Sequence, residues 1–317
     1  MSRLQDSVAS PSVLTGLLAG LLAAAPATVA DVQEIRLDLA QGILALSQEA
    51  VVEVADDDAT DADADPTATP PAMTDQEALA KKTQNPVADL ISIPLQNNFT
   101  FGTGPGNDVL WVLNVQPVIP LELNEDWNII TRTILPIIHQ PGLVDGASSD
   151  NGIGDLQFAA YLSPSDAGEL IWGAGPVLRF PTASRDTLGS ERWSAGPSVV
   201  ALKSSGPWVV GGLAQQVWSY AGNDDRRNVS ELLLQPFINY NLPSGWYLTS
   251  SPVLTANWKA ARSSDRWTVP VGGGVGKIVR LGKLPVNMQL QAYYNVARPD
   301  PVGAWTVRFQ IQLLFPR

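Results

Sequence analysis

Residues 284–315, LPVNMQLQAYYNVARPDPVGAWTVRFQIQLLF, decide the fold. Val286, Met288, Leu290, Ala292, Tyr294 and Val296 form one face of a strand; Asn287, Gln289, Gln291, Tyr293 and Asn295 form the other. A turn follows at 298–303. The pattern then returns, with Trp305, Val307, Phe309, Ile311, Leu313 and Phe315 against Thr306, Arg308, Gln310 and Gln312. Side chains alternate across a strand, so period-two alternation this regular means a sheet with one apolar and one polar face. A soluble two-sheet sandwich and a membrane barrel both use such a sheet.

Working outward, similar runs fill 90–102, 109–122, 127–139, 155–163, 169–181, 192–203, 207–219, 230–241, 246–259, 266–279, 285–296 and 304–315. The total is about twelve, an even number as in bacterial barrels. Tight gaps (124–126, 164–166, 204–206, 243–245, 282–283) alternate with long polar ones (140–154, 182–191, 221–229, 260–265). Short turns at one rim and long loops at the other fit a barrel, and a sandwich has no reason to alternate them. The ten Trp fall near run ends, where indole rings form the interfacial girdles of a barrel; the competing reading places them in a soluble core. Trp246 and Trp258 share one face of a single run. Against this stand Pro117, Pro136, Pro176, Pro197, Pro236, Pro252 and Pro270, all inside runs. Proline lacks an amide donor and belongs at edges or bulges, and a closed barrel has no edge.

Composition narrows the class. Charged residues are 16% of the 317, low against the roughly 25% of a soluble domain. Cysteine is absent, which excludes disulfides and thiolate metal sites. The net charge of −11 sits in one place: residues 31–78 carry thirteen acids and one base, and 79–317 carry seventeen acids and eighteen bases. No basic patch points to nucleic acid. Val13–Ala30 is an apolar stretch ending in small residues, so residues 1–30 read as a secretory signal peptide. Residues 31–78 read as an acidic flexible segment, with an amphipathic helix open to Asp31–Val54 and a linker at Asp56–Ala72, which is too polar to order itself. Thr74-Asp-Gln-Glu77 is a capping box for a short helix over 74–84, which must stop by Asn85 because Pro86 disfavours it. Residues 79–317 are then the barrel.

Three segments carry a family resemblance: AKKTQNPVADLISIPLQNNFTFGTGPGND (80–108), NVQPVIPLELNEDWNIITRTILPII (114–138) and GIGDLQFAAYLSP (152–164). With the Gly-Pro or x-x-Pro strand openings at 175–176, 196–197 and 235–236 and the closing LFPR, residues 79–317 resemble bacterial outer-membrane barrels described as transporters. That family is related to a barrel of the phenol-degradation meta-pathway clusters and is sometimes mislabelled neuromedin U. The resemblance implies a Gram-negative outer-membrane location, lipid as surroundings, the barrel-assembly machinery as a partner in biogenesis and small-molecule transport. It brings no catalytic residues. Pro316 and Arg317 follow Phe315, a departure from the terminal aromatic by which barrels are usually recognised for assembly.

No catalytic constellation is legible. His139 is the sole histidine, and no His-x-Ser arrangement accompanies it, as an outer-membrane phospholipase would require. Residues 272–277, GGGVGK, lack the ending and following helix of a phosphate loop. No metal or cofactor is expected. Arg132, Arg179, Arg308, Glu122 and Glu231 lie on polar faces, and charges on the lipid face are costly, so a barrel would turn them inward. Gln289, Gln291, Tyr293 and Gln310 share that face. Gly272, Gly274 and Gly276 form an inward row that leaves width for a solute, a plug or long side chains from other strands. The functional expectation is passive, porin-like passage of a small solute of apolar or aromatic character. The alternative is a structural or surface-binding barrel with a packed lumen, with an outer-membrane hydrolase behind both.

Overall fold

The structure, a computed structural model, describes residues 79, 81, 83–87, 90–166, 168–282 and 284–315. All belong to the compact unit spanning 70–317. The signal peptide, the acidic segment and the capping box lie outside the described residues.

The elements are β1 (Ile91–Thr103), β2 (Asp108–Val115), β3 (Val118–Glu122), β4 (Trp127–Gln140), β5 (Asp150–Ile153), β6 (Leu156–Pro164), β7 (Leu170–Phe180), β8 (Arg192–Ser205), β9 (Trp208–Gly222), β10 (Ser230–Asn241), β11 (Trp246–Ser250), β12 (Leu254–Asn257), β13 (Trp267–Leu281), β14 (Leu284–Ala297) and β15 (Trp305–Phe315). Every pairing is antiparallel between neighbours in the chain, and β1 pairs β15 from Ile91↔Phe315 to Phe101↔Trp305, which closes the sheet. Three strands are each broken into two pieces (β2/β3, β5/β6, β11/β12), so the closed barrel has 12 strands. The sandwich reading is thereby excluded.

The breaks correct three sequence boundaries. Run 109–122 is split at Gln116-Pro117 and run 246–259 at 251–253, while Asp150–Ile153, expected within a loop, continues the strand of β6 across Gly154-Asp155. The breaks also account for the prolines. In an antiparallel ladder a residue's N–H and C=O address the same neighbour. Gln116 N–H donates to the Pro94 carbonyl at 2.9 Å, so the side of Pro94 without a donor faces the β2/β3 break. Gly154 N–H donates to the Pro136 carbonyl at 2.9 Å, and Pro136 faces the β5/β6 break. Pro236 lies between the ladder segments of β10 with β12 (Glu231–Leu234) and with β11 (Ile238–Asn241), opposite Pro252. Pro176 and Pro197 pair with each other, and their ladders to the outer neighbours skip those positions. Pro270 sits at a register shift. Each of these prolines therefore meets a break, a skipped position or a register shift in the ladder.

Alternation places all ten Trp on the outer face. Trp127, Trp172, Trp208 and Trp246 follow the tight turns; Trp111, Trp193, Trp218, Trp258, Trp267 and Trp305 stand at the opposite rim. Neighbouring rings pack edge-on, as in Trp127–Trp172 (6.0 Å) at one rim and Phe180–Trp193 (5.5 Å) and Trp258–Trp267 (5.7 Å) at the other. Trp208 and Trp218 lie on one strand, ten residues apart. At about 3.3 Å per residue and a tilt near 40°, that separates the two belts by roughly 25 Å, the height of a barrel's apolar band. Between the belts the outer face presents Val199, Val210, Val271, Val275 and Leu290, each exposed. The tight turn after β8 needs Gly206, whose φ of +54° is costly for other residues.

Leu79, Lys81 and Thr83 are α-helical, and the chain leaves the helix at Gln84, before Pro86 as the sequence requires. Gln84–Val87 then enters the barrel. Val87 is buried against Ile130, Ala159, Tyr161, Val177, Val200, Leu213 and Val217, the inward residues of β4 and β6–β9. Gln84 and Asn241 exchange amide hydrogen bonds of 2.8 and 3.3 Å.

Candidate functional site: a polar cavity in the barrel

The interior divides into two halves. The half bounded by β4–β10 is filled. Besides the apolar cluster around Val87, side chains bond over intervening strands: Tyr161 Oη with Ser198 Oγ (2.9 Å), Gln215 Nε2 to Gln157 Oε1 (3.1 Å) and Arg179 Nη1 to Glu231 Oε2 (2.7 Å). The half bounded by β11–β15 and β1–β3 is polar. Its register stacks inward rows of amides: Asn287, Gln312 and Pro94; Gln289, Gln310 and Gln96; Gln291, Arg308 and Asn98; Tyr293, Thr306 and Thr100. Strand alternation dictates these rows, since nearly every second residue of β14, β15 and β1 is polar.

A cavity of about 150 Å³ opens beside these rows. Arg132, Arg308, Gln96, Gln116, Gln289, Gln310 and Gln312 border it, with Thr83–Pro86 of the inserted segment and an apolar wall of Leu90, Val118, Leu213 and Phe237. Arg308 bridges the barrel. Its Nε donates to Asn98 Oδ1 (3.0 Å), and its Nη1 donates to the Ser251 carbonyl (3.0 Å) and Gln291 Oε1 (3.2 Å). The guanidinium also lies 5.0 Å from the Tyr293 ring centre. Tyr293 Oη accepts from Ser251 N–H at 3.0 Å and donates to Gln291 Oε1 at 2.9 Å. The backbone exposed at the β11/β12 break is thus satisfied from β14 and β15. Arg132 donates to Gln116 Oε1, at the β2/β3 break.

The other residues singled out from the sequence fall elsewhere. Arg179 and Glu231 are joined to each other. Glu122 is exposed at the tight-turn end of β3. The glycine row is not empty width. A Cβ on Gly276 would overlap the Tyr247 ring, and Cβ atoms on Gly274 and Gly272 would overlap the carbonyls of Leu290 and Ala292. Long side chains use the space, as the sequence allowed, but the one over Gly276 is Tyr247, whose Oη donates to Asn287 Oδ1 at 2.6 Å. Sequence reasoning missed Tyr247, Gln116, Ser251 and Phe237. Gln312, which the sequence places on the polar face, borders the cavity as well, and Gln96 could have been found from the alternation of β1.

At the loop rim, His139 faces outward and its Nδ1 lies 2.7 Å from Asn151 Oδ1. That juxtaposition was not anticipated. Ser149 borders the same outer depression, but no serine hydrogen bond to the imidazole occurs among the described residues. No metal-binding cluster of three or more His, Asp or Glu occurs there either. Loops are tied by Arg192 to Asp224 (2.9 Å) and by Arg262 to Asp265 and Asp300 (2.7 and 2.8 Å); those hydrogen bonds hold the Arg262 guanidinium above its usual pKa.

A closed 12-stranded barrel with two aromatic belts and a polar interior cavity is the fold of outer-membrane channel proteins. The chain is similar in structure to an outer membrane channel from Pseudomonas putida F1, at 18% identity and a TM-score of 0.54, over 71% of this chain and 94% of that one. A more distant likeness is to a FadL homologue from Pseudomonas aeruginosa, at 9% identity and a TM-score of 0.37, over 73% and 92% of the two chains. No protein-family model matches the sequence, and no curated protein matches it.

Proposed function

We propose that this protein sits in the outer membrane and passes a small solute through its lumen without catalysis. The observation that carries this reading is the cavity among the amide rows, left open beside the packed half of the lumen. The exposed apolar band between aromatic belts supports a membrane location. The apolar wall of the cavity supports a solute with an apolar or aromatic body. The inserted segment 83–87 borders the same cavity and acts as a partial plug. The packed half, closed by Arg179–Glu231 and the Val87 cluster, favours a second reading, a structural barrel whose external loops carry the function. Reconstitution in planar bilayers separates the two. A conduit gives discrete current steps in simple salt, and a structural barrel gives none while remaining heat-modifiable on gels.

A further inference from the structure

Arg132 and Arg308 reach one cavity from walls three strands apart. A guanidinium is always charged in a protein, so the cavity holds two positive charges. No carboxylate lies among the residues that border it, and among the described residues neither arginine forms an ion pair. Their partners are neutral: Gln116 for Arg132; Asn98, Gln291 and the Ser251 carbonyl for Arg308. Elsewhere in the same lumen the protein does supply an anion, since Arg179 meets Glu231 at 2.7 Å. Amide dipoles orient a guanidinium but do not neutralise it, and Arg308 is only 7% exposed. Charges taken from water are costly unless an opposite charge accompanies them.

We propose that this cavity is a binding site for the carboxylate group of a small organic anion. Arg132 and Arg308 supply the charge, and Leu90, Val118, Leu213 and Phe237 take the apolar body. The size agrees, since a cavity of about 150 Å³ accommodates a benzene ring. Arg132, bonded only to Gln116 among the described residues, presents paired guanidinium donors that match a carboxylate, which favours this anion over a spherical one. The inference rests on the conduit reading, since it names the chemical class of the solute at the same cavity.

The test uses the full chain in detergent micelles and in bilayers, with benzoate, its neutral isostere benzamide, and acetate as probes. Calorimetry is expected to show benzoate binding about tenfold or more tighter than benzamide or acetate, a difference of about 1.4 kcal/mol. Arg132→Gln and Arg308→Gln should each remove that preference, while Arg308→Lys, which keeps the charge but not the fork of donors, should keep part of it. The paired variant Arg179→Gln/Glu231→Gln, away from the cavity, should leave it unchanged. Heat-dependent gel mobility checks folding, and should Arg308→Gln not fold, Arg132→Gln and Arg308→Lys carry the comparison. Equal binding of benzoate and benzamide, no benzoate binding, or equal losses in the Lys and Gln variants would overturn the site. Benzoate binding without current would overturn the conduit and leave the site standing. Current without preference for benzoate would do the reverse.

Discussion

Releasing the inserted segment should open the lumen, and the structure sets the size of the effect. Val87 is 5% exposed within its cluster, and Gln84 makes two amide hydrogen bonds with Asn241. Val87→Ala removes two methyl groups, worth about 1.6 kcal/mol at roughly 0.8 per buried carbon. Gln84→Ala removes a pair of neutral hydrogen bonds, together worth about 1.5 kcal/mol net. The double variant therefore weakens docking by about 3 kcal/mol, on the order of a hundredfold in the undocked population. Trypsin cleavage after Lys81 measures that population, because a docked segment is protected. The current through reconstituted protein should rise in parallel. Unchanged cleavage would refute the claim that these contacts hold the segment, and faster cleavage with unchanged current would refute its role as a plug.

Other substitutions probe the wall and the packed half. Leu290→Arg, on the exposed face of mid-β14, should cost about 2–4 kcal/mol in lipid, read from urea unfolding in bilayers; a cost within about 0.5 kcal/mol would mean that this face meets water. Gly276→Leu drives a side chain into the Tyr247 ring and should destabilise the barrel by about 1–3 kcal/mol, with Tyr247→Ala partly restoring it in the double variant. A double-mutant cycle on Arg179 and Glu231 should give a coupling of about 1 kcal/mol, since both are partly exposed; zero coupling would show that the pair does not hold the lumen closed.

Much of the barrel was legible because two signals are local. Alternation in 284–315 fixed which side chains share a face, and the alternation of short and long gaps fixed which strand ends share a rim. The prolines were not legible, because their cost depends on the neighbour each one faces. Pro136 is tolerated because Gly154-Asp155, eighteen residues on, interrupts the adjoining strand, and a single strand read alone cannot show that. The interior was legible on β14, β15 and β1, where most inward residues are polar. It was obscured on β7–β9, where Val177, Val200, Leu213 and Val217 point inward and blur the pattern. These residues face Val87 rather than water, so their polarity follows a contact distant in sequence. The glycine row misled in part for the same reason: Gly276 leaves room for Tyr247 of the neighbouring β11, and strand periodicity does not reveal which partner fills a gap.

The conductance of the full chain in planar bilayers, compared with that of a variant lacking residues 31–84, tests the central claim most directly. The account predicts discrete, reproducible steps from the full chain and larger or more frequent ones when the segment is removed. Folded, heat-modifiable protein that inserts yet carries no current in either form would contradict it.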